Sequence, residues 1–417
     1  MRNYKSILLF SALAIGLASC GSDDPADNGG GDNGGNSGSG NNNGTELVAK
    51  LPSKTNSMNV YAHYMVWFET DKTSLDPGKW GWHWTMNNTS LNPSKGEIAA
   101  HYHPLTGPYA SGDADILDYQ CLLMKYSGID GVIVDWYGSK ADNTVARHTS
   151  NSEALLRAIE KAGMKLAIMY EDNSIATSDY VTAGRDDMTY LNQRFFTSKS
   201  YTRINDRPLL MDFGPQKVTE PKDWYRIFQV LATKPYFVVL NGASSKANND
   251  TYTNSEGEFL WVNPDPAPWY AANKSKFNVT FGGAMPGFHD YYKEGNSGDG
   301  YTTYNAEDGA LFRRQLAAAK DAKLDWLQIS TWNDYGEGTI IEPTQENGFR
   351  YLAELQQFTG CKCTEANLQL IYDWYTLRVK YAGNTAKQTT LDKCYQYLNA
   401  MQPDRARALI DDLKAQN

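Results

Sequence analysis

The chain has 417 residues, 41% of them hydrophobic and 21% charged, which suits one large barrel or two ordinary domains and excludes a disordered protein. Its formal net charge of −9 argues against nucleic acid or anionic lipid as the main partner. Aromatics reach 12%, with 27 Tyr and 11 Trp, and flat rings stack on the apolar faces of sugars.

The N-terminus reads as a targeting segment. Arg2 and Lys5 carry positive charge, and residues 7–17 form an apolar run too short to stay as a membrane-spanning helix. The run ends in Leu17–Ala18–Ser19–Cys20, which resembles a bacterial lipobox. The resemblance implies a signal peptide over 1–20, with Cys20 lipidated as the first mature residue. Ser22–Asp23–Asp24 is similar to the acidic export signal of certain cell-surface lipoproteins. An outer-membrane lipoprotein facing the cell surface is therefore expected, with a periplasm-facing one as the alternative. The membrane would be a partner only through the lipid. Residues 21–45 are almost entirely Gly, Asn, Asp and Ser, a tether that would hold the folded body about 25–30 Å from its anchor.

From residue 58 onwards strand and helix patterns alternate. Residues 60–67 read as a first strand, followed by an insertion over 68–112 rich in Trp, Gly, Asn and Pro. Apolar residues at helical spacing over 113–127 stop at Gly128. Residues 129–135 form a buried strand ending at Asp135–Trp136–Tyr137–Gly138. A helix over 151–162 opens with the capping pattern Ser150–x–x–Glu153. Further strands follow at 165–170, 208–211, 236–240, 258–262, 279–286 and 326–329, and further helices near 186–197, 222–232, 308–322 and 348–358. Eight apolar strands, each leading into polar or aromatic residues, are the sequence form of a (β/α)8 TIM barrel over 46–360. Two more helices are expected in a C-terminal appendage over 361–417. There Cys394 is a candidate disulfide partner for Cys361 or Cys363. A monomer is expected.

Chemistry in such a barrel sits at the C-terminal strand ends. The last strand runs into Ser330–Thr331–Trp332–Asn333–Asp334–Tyr335–Gly336–Glu337, with two carboxylates three residues apart and no balancing Lys or Arg beside them. Cleaving a glycosidic bond usually needs one protonated and one ionised carboxyl, in environments that push their pKa values apart. Asp334 and Glu337 are thus candidates for the catalytic pair, against the alternative of a helix cap and a surface ion pair.

Trp332 to Glu337 resembles the signature of the endo-α-1,3-glucanases of glycoside hydrolase family 71. Gly338–Thr339–Ile340–Ile341–Glu342–Pro343 resembles instead the endo-α-mannosidases of family 99. So do His103–Pro104–Leu105–Thr106–Gly107–Pro108–Tyr109, Gly128–Ile129–Asp130–Gly131, Trp136–Tyr137–Gly138 and Leu166 to Glu171. The resemblance spans roughly residues 60–350 in the right order. It implies that Glu337 is the general acid and Asp334 a general base. In the mannosidases that base deprotonates the substrate's own 2-hydroxyl, with retention; in the glucanases the pair is thought to invert through water. The mannosidases carry Glu where this chain has Asp334, and Ser where it has Asp135. Two departures therefore fall on the expected site.

The remaining candidates for substrate contact are weighed against structural roles. Tyr64, Trp136 and Tyr137 offer a stacking wall or core packing at the rim. Glu171 offers a hold on sugar hydroxyls or an ion pair. His289 faces a leaving group or is structural, and Asn333 and Asp135 complete the set. His101–x–His103 has metal-like spacing but lacks a carboxylate partner, so neither metal nor cofactor is expected. The reading is a glycoside hydrolase cutting within α-linked polysaccharide or glycan. A carbohydrate-binding barrel without turnover is the alternative. A glycosyltransferase is disfavoured because an exported lipoprotein has no supply of sugar nucleotides.

Overall fold

The structure, a computed structural model, describes residues 47–140 and 147–416. The expected signal peptide, Cys20 and the expected tether lie outside the described residues. Eight parallel strands form the centre: β1 (Asn59–Tyr64), β2 (Gly131–Trp136), β3 (Lys165–Tyr170), β5 (Arg207–Asp212), β6 (Tyr236–Leu240), β7 (Ser255–Phe259), β8 (Val279–Ala284) and β9 (Trp326–Ile329). Each pairs with the next, β9 pairs with β1, and β3 pairs with β5 across the short β4 (Arg203–Ile204), which lies antiparallel to β5. The ring is closed, as a TIM barrel requires.

Strand alternation decides which residues see the inside. On β1, Val60, Ala62 and Tyr64 join the apolar layer between barrel and helices, while Tyr61 and His63 take the other face. On β2, Val132, Val134 and Trp136 join that outer layer, which leaves Ile133 and Asp135 for the interior. Around the ring run α2 (Ala114–Tyr126), α3 (His148–Ala162), α4 (Tyr180–Arg194), α5 (Pro221–Phe228), α6 (Ala267–Asn273), α7 (Ala310–Asp321) and α8 (Arg350–Thr359); α1 (Trp82–Thr85) sits in the long insertion after β1. Asp113 caps α2 by accepting from the Asp115 and Ile116 amides.

Four expectations need correction. α3 starts at His148, so Ser150 lies inside the helix rather than at its cap. β7 lies three residues earlier than the apolar pattern suggests. The C-terminal region holds three helices, α9 (Glu365–Lys380), α10 (Thr385–Asn399) and α11 (Pro403–Ala415), where two were expected; Pro403 opens the third at its first turn. All four described cysteines are free: Cys394 is buried with its sulfur toward the Ala406 carbonyl, while Cys361 and Cys363 sit in the turn between α8 and α9. The C-terminal helices pack against the barrel's own. Lys125 Nζ donates to the Ala162 and Asn399 carbonyls at 2.8 and 2.9 Å, and Tyr119 and Tyr375 pack with centroids 4.8 Å apart. No described helix is long and apolar enough to cross a membrane.

Candidate active site

The loop after β9 is fixed by its own backbone. The Thr331 amide and Oγ1 both donate to the Thr339 carbonyl, at 2.6 and 3.0 Å, which draws the loop ends together. The same hydroxyl accepts from the Asp334 amide at 2.8 Å, and the Gly338 amide donates to the Asp334 carbonyl at 3.0 Å. Gly338 has φ +69°, and a Cβ there would lie 2.5 Å from the His289 carbonyl oxygen, so the turn requires glycine. Asn333 ties the loop to the end of β1: its Oδ1 accepts from the Met65 amide at 2.8 Å, and its Nδ2 donates to the Met65 carbonyl at 3.0 Å. Behind it, Glu342 accepts from the Tyr109 and Tyr335 hydroxyls at 2.8 Å each and from Gln120 Nε2 at 2.6 Å.

This scaffold points two carboxyls at one place in different environments. Asp334 is buried, which pushes its pKa up to about 7, but the amides of Glu337 and Gly336 donate to it and hold it lower than burial alone would. Glu337 is pushed well above the usual carboxylate range, first by burial and then by the charges of Asp334, Asp290 and Asp135; a hydrogen bond from Tyr292 opposes this. Asp334 therefore gives up its proton before Glu337 does, which leaves one ionised and one protonated carboxyl once the pH passes about 7.

A second acid pair stands on the neighbouring strands. Asp135 is the penultimate residue of β2 and Glu171 follows β3, and the charge of Asp135 raises the proton affinity of Glu171. Burial lifts Asp135 to about 8, with Asp334 adding to the rise; Glu171 is likewise raised by burial and by Asp135. His63 Nε2 lies 4.0 Å from Asp135 Oδ1, and burial drops that imidazole to about 3, so it is neutral. Asp212, at the end of β5, is fully buried with neither oxygen partnered.

The candidates from the sequence divide. Asp334, Glu337, Asp135, Glu171 and Tyr137 come together at the C-terminal end of the barrel, where burial and the charges of Asp135, Glu171 and Asp334 all push the Tyr137 hydroxyl up. His289 is exposed beside the loop, its amide on the Glu337 carbonyl at 2.9 Å and its ring stacked 3.7 Å from His101. Tyr64 and Trp136 are not brought to the mouth. They point outward from their strands and are fully buried, Tyr64 on Gln120 and Trp136 on Tyr170 and Tyr190. Asn333 is also fully buried, with its amide spent on Met65 and Tyr109. His103 pairs with Glu346 at 2.7 Å, and no cluster of three or more His, Cys, Asp or Glu fit to hold a metal occurs among the described residues. Sequence reading missed Tyr292 and Asp290, which act on Glu337 from the loop after β8, and the half-buried Trp261, packed edge-on to His63 at 4.8 Å. The aromatic excess hinted at such rings but did not say which.

A closed (β/α)8 barrel with its acids gathered at the C-terminal strand ends is the class defined by fold and site. No family model matches the chain. A glycoprotein endo-α-1,2-mannosidase-like protein of Danio rerio is 21% identical over 328 residues, covering 70% of this chain and 72% of that protein. The family 99 endo-α-mannosidase of Bacteroides thetaiotaomicron has a similar structure, with a TM-score of 0.59 at 18% identity over 73% of this chain and 97% of that one. A glycoside hydrolase-like protein follows at TM-score 0.53 and 14% identity, covering 76% and 97%.

Proposed function

We propose that this protein is a glycoside hydrolase that cuts within α-linked polysaccharide or glycan, with Glu337 as general acid and Asp334 as general base. The observation that carries the assignment of roles is the split environment of the pair: backbone amides favour the charged form of Asp334, while three acidic neighbours favour the proton on Glu337. Glu337 would protonate the glycosidic oxygen as the bond to the sugar breaks, and Asp334 would take a proton from the attacking hydroxyl or water. The similarity to endo-α-mannosidases supports an endo-acting enzyme and α-mannan as the first substrate to try. Incubation with a panel of α-mannans and α-glucans, with products read by mass and NMR, tests this. Release of oligosaccharides from one of them is expected; no cleavage of any would sink the proposal.

We further propose that lipidated Cys20 tethers the enzyme to the outer membrane, on the strength of the lipobox-like run before it. Replacing Cys20 with Ala should move the protein from the membrane fraction to the soluble one, and continued membrane association would contradict the anchor.

A further inference from the structure

Cys361 and Cys363 take no part in the site at the barrel mouth. They flank Lys362 in the turn between α8 and α9, and that turn is fixed from both sides. On one side the Thr359 carbonyl accepts from the Thr55 and Asn56 amides at 3.2 and 3.0 Å. Gly360 follows at φ +63°, so close to Thr55 that a Cβ would lie 1.9 Å from its Oγ1. On the other side Thr364 caps α9, its amide donating to Asn367 Oδ1 at 3.0 Å. Between these anchors Lys362 is exposed, whereas Cys361 is buried and Cys363 is half-buried against the hydrophobic core. Alternate residues of a non-helical segment share a face, so both thiols take the inner side of one turn. Cys361 Sγ lies 3.6 Å from the Tyr126 carbonyl. Residues two apart span at most about 7 Å between Cα atoms. The chain bends at Lys362, which brings that span within the roughly 4.4–6.8 Å that a disulfide bridges. The other described cysteines, Cys121 and Cys394, are fully buried within α2 and α10.

We propose that Cys361 and Cys363 are a thiol-exchange site, which takes a small-molecule disulfide such as oxidised glutathione and closes to an intramolecular disulfide across Lys362. One cysteine thiolate attacks a sulfur of the reagent, whose S–S bond breaks to leave a mixed disulfide and one free thiol. The second cysteine then attacks the protein sulfur of that mixed disulfide, which forms the Cys361–Cys363 bond and releases the second thiol. The protein gives up two electrons and two protons, and the reagent takes up both as two thiols. Because the turn is anchored at Thr359 and Thr364, the two sulfurs stay neighbours throughout, and the second step is intramolecular. The ring closes on the turn that joins the last helix of the barrel to the C-terminal helices. Export as a lipoprotein would place the pair in an oxidising compartment, but the chemistry rests on neither the anchor nor the hydrolase reading.

Peptide mapping reads the site directly, because trypsin cuts after Lys362 and so separates the two cysteines. The folded full-length protein is treated with oxidised glutathione, freed of the reagent, unfolded, alkylated and digested. Cys361 and Cys363 should both escape alkylation, while Cys121 and Cys394 are alkylated. The peptide ending at Lys362 should run linked to the one beginning at Cys363, with a mass two hydrogens below the sum of the two. Dithiothreitol added before alkylation should release both peptides with their thiols restored. The test needs no variant, so it does not depend on a substituted protein folding. Three results would overturn the proposal: both thiols still open to alkylation after the oxidant, a bond from either of them to another cysteine, or glutathione retained on the protein in place of the linked peptides.

Discussion

Asp334 and Glu337 lie three residues apart on one loop, yet they are not equivalent, because the loop turns its amides toward Asp334 while Asp290 and Asp135, from other elements, add their charges to Asp334's on Glu337. Activity needs Asp334 ionised and Glu337 protonated. The rate should therefore rise as pH passes through about 7, where Asp334 loses its proton, and fall again at higher pH as Glu337 follows. A kcat/KM profile measured from acid to alkaline pH checks this; a flat profile would be inconsistent with the pair. Tyr292 sharpens the test. Its hydroxyl stabilises the charged form of Glu337, so Tyr292→Phe should move the alkaline limb upward in pH. A limb that stays in place would show that Tyr292 does not act on the acid.

The loop after β9 works only because β1 holds it. Asn333→Ala would leave the Met65 amide and carbonyl unpaired in a buried setting, at a cost of about 2–4 kcal/mol measurable by urea unfolding. A variant as stable as the parent would mean the clamp is dispensable. The elements themselves were largely legible. Strands such as 165–170, apolar from Leu166 on, and 236–240, apolar throughout, are bounded by polar turns, and both appear at the expected residues. α6 is not legible in the sequence, because Pro266 and Pro268 at its start have the look of a loop. Their place at strand ends makes Tyr64 and Trp136 look like mouth residues in the sequence. Their direction depends on which strand register faces the interior, and Asp135 taking the inner side sends Trp136 outward. Tyr292, Asp290 and Trp261 come from loops far away in sequence, so no local pattern could assign them to Glu337 or His63.

For the whole molecule, a mouth full of buried acids has a thermodynamic consequence. Asp135, Asp334 and Glu342 have folded pKa values pushed up to about 7–8, while the unfolded chain releases these protons near pH 4. Their stabilising contribution is full below the unfolded value and is lost as pH rises through the folded one. The buried His63, His83 and His148 have the opposite sign, but their contribution is complete above the unfolded histidine value of about 6.5. Stability should therefore decline between about pH 6.5 and pH 8, and Asp135→Asn should flatten the decline. Urea titrations at the two pH values check it, and rising stability would contradict the assignment. Lys125 joins the C-terminal helices to the barrel through the Asn399 carbonyl. Lys125→Met should speed amide exchange in α10 and α11 selectively, whereas unchanged exchange would show that the helices are held by packing alone.

The central claim, that Glu337 protonates the departing sugar, is tested most directly with two leaving groups. Glu337→Gln should lose about 10²–10⁴-fold in rate on the natural glycan, whose leaving hydroxyl needs a proton. It should lose far less on the matching dinitrophenyl glycoside, whose phenolate leaves without one. Equal losses on both substrates, or full activity on the glycan, would contradict the account.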